Sequence, residues 1–514
     1  MRLAFVLTFS ILTPLLAFLS YFHTFTWMWL FAPCISLFAL GLYEMFQKKR
    51  TLLRNYPLLG RLRYVMEILR PKIYQYFVES DTDGTPIPRI YRSVVYQRAK
   101  KQLDTTPFGT QLDLYKEGYE WINHSMAPTN PNDISFENLR IMVGGENCRK
   151  PYSLSLLNIS AMSFGALSPH AISALNWGAK IGNFAHNTGE GSISFYHKKY
   201  DGDLIWQIGT GYFGCRSENG NFDPDKFEKK ASDDQVKMIE LKLSQGAKPG
   251  HGGILPASKN TPEIALARGI EPGIEVDSPP AHIAFKRIDG LVDFIQKLRD
   301  LSRGKPVGIK FCLGCPEEFE ELCKIMLEKN IYPDFISVDG GEGGTGAAPI
   351  EFSNSIGMSL NDGLIYVTNS LIRYGIREKI KVLASGKILT GFHLIKAISL
   401  GADACYSARA MMLALGCIQA LECNKNTCPT GVATQDPNKY EGLVIENKYK
   451  RVANFHANTL KSVSEILGAT GCTSTQSLSR HSLWRRISPS EIKTYAQIYP
   501  YPIKGEALNQ SRSS

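Results

Sequence analysis

The apolar pattern of this chain changes character three times. From residue 3 to 21 and again from 26 to 43 it is almost unbroken, with only Phe22, His23 and Thr24 and their neighbours between. A membrane-crossing helix needs about 20 apolar residues, and neither run carries an ionisable side chain before Glu44. The pattern predicts a transmembrane helical hairpin over residues 1–47, with Trp27 and Trp29 near the start of its second arm. Lys48, Lys49 and Arg50 follow at once. The positive-inside rule puts that end, and therefore the N-terminus, in the cytoplasm. The expected location is the inner membrane, multi-pass, with the remaining chain cytoplasmic. A cleaved signal peptide would not bring the second apolar run.

Residues 48–135 mix helical spacing (Val65, Ile68, Leu69, Ile73, Phe77) with turn-rich pieces such as 81–86. They read as a connector subdomain without a catalytic constellation. From 136 to 440 short β-rich runs alternate with amphipathic segments. Strands are predicted at 156–160, 183–186, 237–243, 273–276, 307–311, 335–338, 381–383 and 404–407. Helices are predicted at 169–181, 262–268, 288–302, 316–329 and 390–400. Eight such units predict an α/β fold, a (β/α)8 TIM barrel. Residues 441–514 form a C-terminal helical extension with no clear repeat.

In such a barrel chemistry lies on the loops after the strands. Those loops are polar and glycine-rich here: 161–165, 187–191, 245–253, 277–280, 339–346, 385–387 and 408–409. Glycines in loops 339–346 and 385–387 let backbone N–H groups close on a phosphate. The phosphate site of these barrels commonly lies after strands seven and eight, which suits flavin mononucleotide (FMN). Lys310 sits within the apolar run 307–311, where it either pairs with a carboxylate or faces the barrel mouth. Beside a flavin it would stabilise negative charge on the reduced ring.

Composition changes this picture in two places. The net charge is +10, but no basic helix with base-reading residues appears, so nucleic acid is not an expected partner; a basic face toward an anionic leaflet is simpler. The 11 cysteines follow no secreted framework, which fits a reducing compartment. Three of them, Cys417, Cys423 and Cys428, share one stretch, with Pro429 after the last. Their spacing does not match the paired hooks of zinc sites and fits an iron–sulfur cluster better, of three irons or of four with a ligand from elsewhere. Cys312, Cys315 and Cys323 offer only one such hook and read as packing or site lining. His186 is equally open to a site role or a core role.

Together these residues resemble the synthase domain of glutamate synthase. The matching pieces are 161–165 (Ala-Met-Ser-Phe-Gly), 187–191 (Asn-Thr-Gly-Glu-Gly), 245–250 (Gln-Gly-Ala-Lys-Pro-Gly), 278–280, 343–347 and 415–437, from about residue 136 to about 440. The resemblance implies that Cys417, Cys423 and Cys428 hold a [3Fe-4S] cluster. It implies that Ala161, Met162, Ser163, Gln245, Lys310, Gly344 and Gly386 contact FMN, and that Glu190 and Lys248 face the substrate. Arg409, past the eighth strand, is a further candidate for the FMN phosphate. The implied reaction is reductive amination of 2-oxoglutarate by ammonia to glutamate. Electrons would come from a donor such as ferredoxin or a reductase subunit, because no NAD(P)H fingerprint is present.

The family's glutaminase domain and C-terminal β-helix are not found in this sequence, and a hairpin and connector stand in front. His251 and Ile254 replace two polar residues of the family's loop, and Ile254 removes a hydrogen bond to the oxo acid. The alternatives are therefore an enzyme of the same fold acting on another amine, amino acid or oxo acid, or a membrane-tethered flavin and iron–sulfur electron-transfer module.

Overall fold

The computed structural model describes residues 1–510. The chain forms two compact units, one from Met1 to Arg89 and one from Ile90 onward. Residues 48–89 thus group with the apolar hairpin and residues 90–135 with the larger unit.

In the smaller unit, helix α1 (Arg2–Phe22) and helix α2 (Met28–Phe46) are joined by a tight turn at Phe25–Trp27. Both are long and apolar enough to cross a membrane, and little of either is buried. They meet through Phe5, Phe9 and Phe38, whose ring centroids lie 4.8 to 5.9 Å apart. Gly41 permits this contact, since a Cβ there would lie 2.0 Å from the Phe5 ring. After a short helical turn at Thr51–Asn55, helix α3 (Gly60–Ile73) follows.

The larger unit is built on eight strands: β1 (Leu157–Ile159), β2 (His186–Asn187), β3 (Leu204–Ile208), β4 (Val236–Lys242), β5 (Val307–Phe311), β6 (Phe335–Asp339), β7 (Lys381–Ser385) and β8 (Ala404–Ser407). They form one closed barrel. Each pairs in parallel with the next, and Cys405 of β8 lies beside Leu157 of β1 to close the ring. The helices that follow include α4 (Pro169–Gly182), α5 (Pro262–Arg268), α6 (Ile288–Leu301), α7 (Pro316–Lys329), α8 (Leu360–Arg373), α9 (Gly391–Leu400) and α10 (Arg409–Leu415).

Eight strands are present, as expected, but one expected strand lies outside the barrel and one barrel strand was not expected. Leu204–Ile208 is the third barrel strand, a run buried at every position, which is what a strand covered on both faces requires. Residues 273–276 are not in the barrel: Val276–Asp277 pairs antiparallel with Ile254–Leu255. Ile274 there is 46 % exposed, so this segment lacks the two-sided burial of a barrel strand. Residues 277–280 accordingly belong to a long insertion between β4 and α6 and follow no barrel strand.

The N-terminal end of the barrel is plugged by a hairpin, Arg140–Val143 with Tyr152–Ser155. Val143 and Leu154 join Ala185, Ile205, Met238, Phe335 and Ala404 in one buried cluster. Aspartates placed just before two strands hold their neighbours. Asp334 accepts the N–H of Val307 at 2.8 Å and of Gly145 at 2.8 Å and pairs with buried Arg299 at 3.1 Å. Asp403 accepts the N–H of Val382 at 2.7 Å and pairs with Arg377 at 2.9 Å.

The C-terminal segment is part of the same body. Helix α11 (Ile445–Ala469) lies against α4, with Tyr449 stacked on Trp177 at 3.7 Å. Gly178 lets the helices approach, because a Cβ there would lie 2.7 Å from Val452. The expected helical extension is led by α11, with short helices at Tyr495–Ile498 and Glu506–Gln510, but it is not helical throughout. Leu483–Ser488 and Glu491–Thr494 form a three-stranded sheet with Glu120–Ile122.

Candidate active site

The strand ends on the opposite rim carry three groups of residues. The first surrounds Glu190. Beneath it, Glu240 of β4 is fully buried and accepts from Asn187 at 2.8 Å, Gln207 at 2.6 Å and Ser337 at 2.7 Å. Asn187 in turn accepts the N–H of Gly189 at 3.0 Å. This chain of bonds sets the loop that presents Glu190. The carboxylate occupies a glycine cradle: a Cβ on Gly209 would lie 2.5 Å from it, and one on Gly253 2.4 Å.

Lys242 donates to Glu190 at 2.8 Å and to Gln245 at 3.1 Å. Lys248 and Arg268 also face Glu190. Burial pushes the Glu190 carboxyl up, but Lys242, Arg268 and Lys248 outweigh burial and hold it below the usual range. Lys248 is only 2 % exposed, and its ammonium has no hydrogen-bond partner. Burial, with repulsion from Lys242, brings it down to about 8 against the pull of Glu190 and Asp277. Arg268 is buried, donates to the Phe164 carbonyl at 3.2 Å and lies over the Phe213 ring at 5.0 Å. Burial lowers it to about 10. Three cations thus converge on one carboxylate, an arrangement that leaves positive charge for an anionic ligand.

The loop after β1 closes this group. Gly189 rests on the backbone of Met162 and Ser163, with a would-be Cβ 2.7 Å from the Ser163 nitrogen. A Cβ on Gly191 would lie 2.7 Å from Ser163 Cβ. Met162 and Ser163 are therefore adjacent to the loop that carries Glu190, and Ala161 precedes them on the loop after β1.

The second group lies across the rim. Lys310 pairs with Asp339 at 3.5 Å, and Asp339 accepts the Gly246 N–H at 2.9 Å. This ties Lys310 to the loop that carries Gln245. Arg409, at the start of α10, donates to the Glu342 carbonyl at 2.6 Å. Its side chain lies 3.2–3.3 Å from where a Gly344 Cβ would be. Gly386 faces the Glu342 carboxyl, 3.4 Å from its would-be Cβ. Gly344, Gly386 and Arg409 are thus brought together beyond β6, β7 and β8.

The third group is the cysteine loop. A Gly346 Cβ would lie 3.2 Å from Cys423, so loop 343–347 touches Arg409 at one end and this loop at the other. Lys259 donates to the carbonyls of Cys423 at 2.7 Å and Ala433 at 3.1 Å. Tyr96 donates to the Cys417 carbonyl at 2.6 Å. Gln419, Leu421 and Asn426 have positive φ, a conformation that costs side-chain-bearing residues and persists where the surroundings enforce it. The Gln419 N–H points to Cys417 Sγ at 3.4 Å. Burial pushes Cys428 up, but the N–H groups of Ala433, Thr430 and Val432 and the Thr430 hydroxyl outweigh it and hold the thiol below its usual range. Among the described residues no three His, Cys, Asp or Glu side chains meet the geometry of a metal site.

Lys242, Arg268 and Glu240 escaped sequence reasoning. Lys242 carried the same signal as Lys310, a lysine at the end of an apolar strand. Arg268 read as the ordinary basic residue of a helix C-terminus. His186 and His197 are buried in contact below the rim, and burial holds both well below the usual histidine range. His186 therefore reads as a neutral core residue.

Sequence comparison adds a decisive observation. The family described as the conserved region in glutamate synthase matches residues 97–473. The chain belongs to the glutamate synthase family. It is 37 % identical over 479 residues to the glutamate synthase large subunit-like protein YerD of Bacillus subtilis (strain 168), covering 86 % of this chain and 91 % of that one. It is 33 % identical over 359 residues to the archaeal glutamate synthase [NADPH] of Methanocaldococcus jannaschii, covering 68 % and 67 % of the two. Against the glutamate synthase [NADPH] large chain of Azospirillum brasilense it is 31 % identical over 316 residues, only 20 % of that chain. Solved structures of mandelate oxidase superpose with a TM-score of 0.43 at 14 % identity, over 84 % of this chain and 96 % of the oxidase.

Proposed function

We propose that this glutamate synthase family member is an FMN- and iron–sulfur-dependent oxidoreductase that reductively aminates 2-oxoglutarate with ammonia to glutamate. The observation that carries the proposal is the buried, unpartnered ammonium of Lys248 beside Lys242 and Arg268 around a single carboxylate. A dicarboxylic oxo acid supplies two negative charges to such a site. Lys248 and Arg268 bind its carboxylates. Glu190, ionised and held by Lys242, takes a proton from the attacking ammonia and returns it to the carbinolamine hydroxyl, which leaves as water to give the imine.

The residues across the rim fit FMN. The Arg409 guanidinium, against which Gly344 packs, would hold the phosphate, the group expected after the last strands of such barrels, with Gly386 nearby against Leu360 and Glu342. Ala161, Met162, Ser163, Gln245 and Lys310 would contact the flavin. Bound FMN would supply hydride to the carbon that becomes Cα of glutamate. The cysteine loop fits a [3Fe-4S] cluster by its donor set: three thiols on one loop, Cys417, Cys423 and Cys428, with N–H groups aimed at sulfur. Electrons would enter there from a ferredoxin-like donor or a reductase subunit. Helices α1 and α2 would anchor the chain in the membrane, with Lys48, Lys49 and Arg50 on the cytoplasmic side.

A second reading keeps the chemistry and changes the oxo acid. Ile254 stands directly after Gly253, which touches Glu190, and brings an apolar side chain to that approach. Steady-state assays of the full chain with a chemically reduced donor, ammonium and a panel of oxo acids distinguish the two. Turnover with 2-oxoglutarate far above monocarboxylic oxo acids supports the main reading. The reverse order supports the second.

A further inference from the structure

Helix α3 is a 14-residue helix in which only Gly60 is buried. An isolated helix of that length is marginal in water. Leu62, Val65, Met66, Leu69 and Ile73 recur at helical spacing on one face, and all five are 37–57 % exposed. Arg63 and Arg70 border this stripe on one side, Arg61 and Lys72 on the other. Exposed tyrosine and phenylalanine continue the apolar surface at Tyr74, Tyr76 and Phe77.

The charge around the helix is one-signed. Between residues 48 and 73 there are eight Lys or Arg and one acidic residue, Glu67. Glu67 pairs with Arg63 at 2.6 Å, and Arg61 is bound by Glu44. Among the described residues Arg70 and Lys72 have no ion pair. Glu44 also fixes where the helix starts. It is buried at the end of α2 and accepts the Leu58 N–H at 2.7 Å as well as Arg61. The start of α3 is thereby tied to the end of the second apolar helix.

We propose that α3 lies in the headgroup layer of an anionic membrane, its apolar stripe toward the acyl chains and its flanking arginines and lysine toward lipid phosphates. A stripe bordered by long cationic side chains on both sides suits this boundary, because their stems cover apolar surface while their heads reach the phosphates. Each such cation gains from the negative potential of an anionic leaflet. The inference rests on the membrane reading of α1 and α2, since their continuation delivers α3 to the surface.

The test is hydrogen exchange on the full chain in lipid nanodiscs, of phosphatidylcholine alone or with phosphatidylglycerol. Amides 62–73 are expected to exchange about ten-fold more slowly in the anionic discs. The double variant Arg70→Gln with Lys72→Gln should narrow that difference. Exchange at 62–73 that does not depend on the anionic lipid, while residues 2–46 stay protected, overturns the inference. Loss of protection at 2–46 in every disc overturns the anchoring beneath it.

Discussion

Lys248 bears the sharpest consequences at the scale of single residues. Its ammonium is buried, unpaired and lowered to about 8, so it loses its charge near the upper end of the working pH range. Below about pH 8 the protonated form attracts a dianion; above it the attraction is lost. KM for 2-oxoglutarate should therefore rise as pH passes upward through about 8, with the flavin spectrum unchanged. A flat KM from pH 7 to 9 would contradict the role. Lys248→Met should lower kcat/KM about 100-fold or more, in line with the loss of a charged hydrogen bond in a buried site of about 3 kcal/mol. Replacing Arg409 with alanine should act elsewhere: purified protein should lose flavin, and unchanged flavin content would remove Arg409 from the phosphate corner. Much of this was legible in sequence because glycines and charged residues clustered just after apolar runs. Arg268 was not, since its partner Glu190 is far away in the chain and nothing local distinguishes it from a helix-terminal arginine.

Elements explain why the site holds its shape. Parallel strands buried on both faces read as short apolar runs, which made most of the barrel visible in advance. β2 is only two residues long, too short for any periodicity, and the third strand was displaced in the reading by residues 273–276. The long insertion between β4 and α6 caused that exchange. Its glycines are fitted to the rim: a Cβ on Gly246 would meet the Gly340 carbonyl at 1.8 Å. The opposite end depends on Asp334, which joins β5, β6 and the plugging hairpin. Asp334→Ala would strand buried Arg299 and two N–H donors, at a cost of about 3–5 kcal/mol. The melting temperature should fall by several degrees while any residual folded protein keeps its flavin. A change of less than about one degree would show that the network is not stabilising.

The whole molecule combines a barrel-bearing unit with an apolar N-terminal pair of helices. Their lengths and composition were plain in sequence, but the exposed stripe of α3 needed coordinates, because helical spacing alone does not tell a buried face from a bare one. Cysteine spacing carries the proposed cluster, and N–H groups lie at the sulfurs of Cys417 and Cys428. The chemistry itself is tested most directly by one anaerobic turnover. The full chain, with its flavin reduced chemically and free of excess reductant, is mixed with 2-oxoglutarate and ammonium. The flavin should reoxidise, with about one glutamate formed per two electrons withdrawn. A reduced flavin that stays reduced, with no glutamate formed, would contradict it.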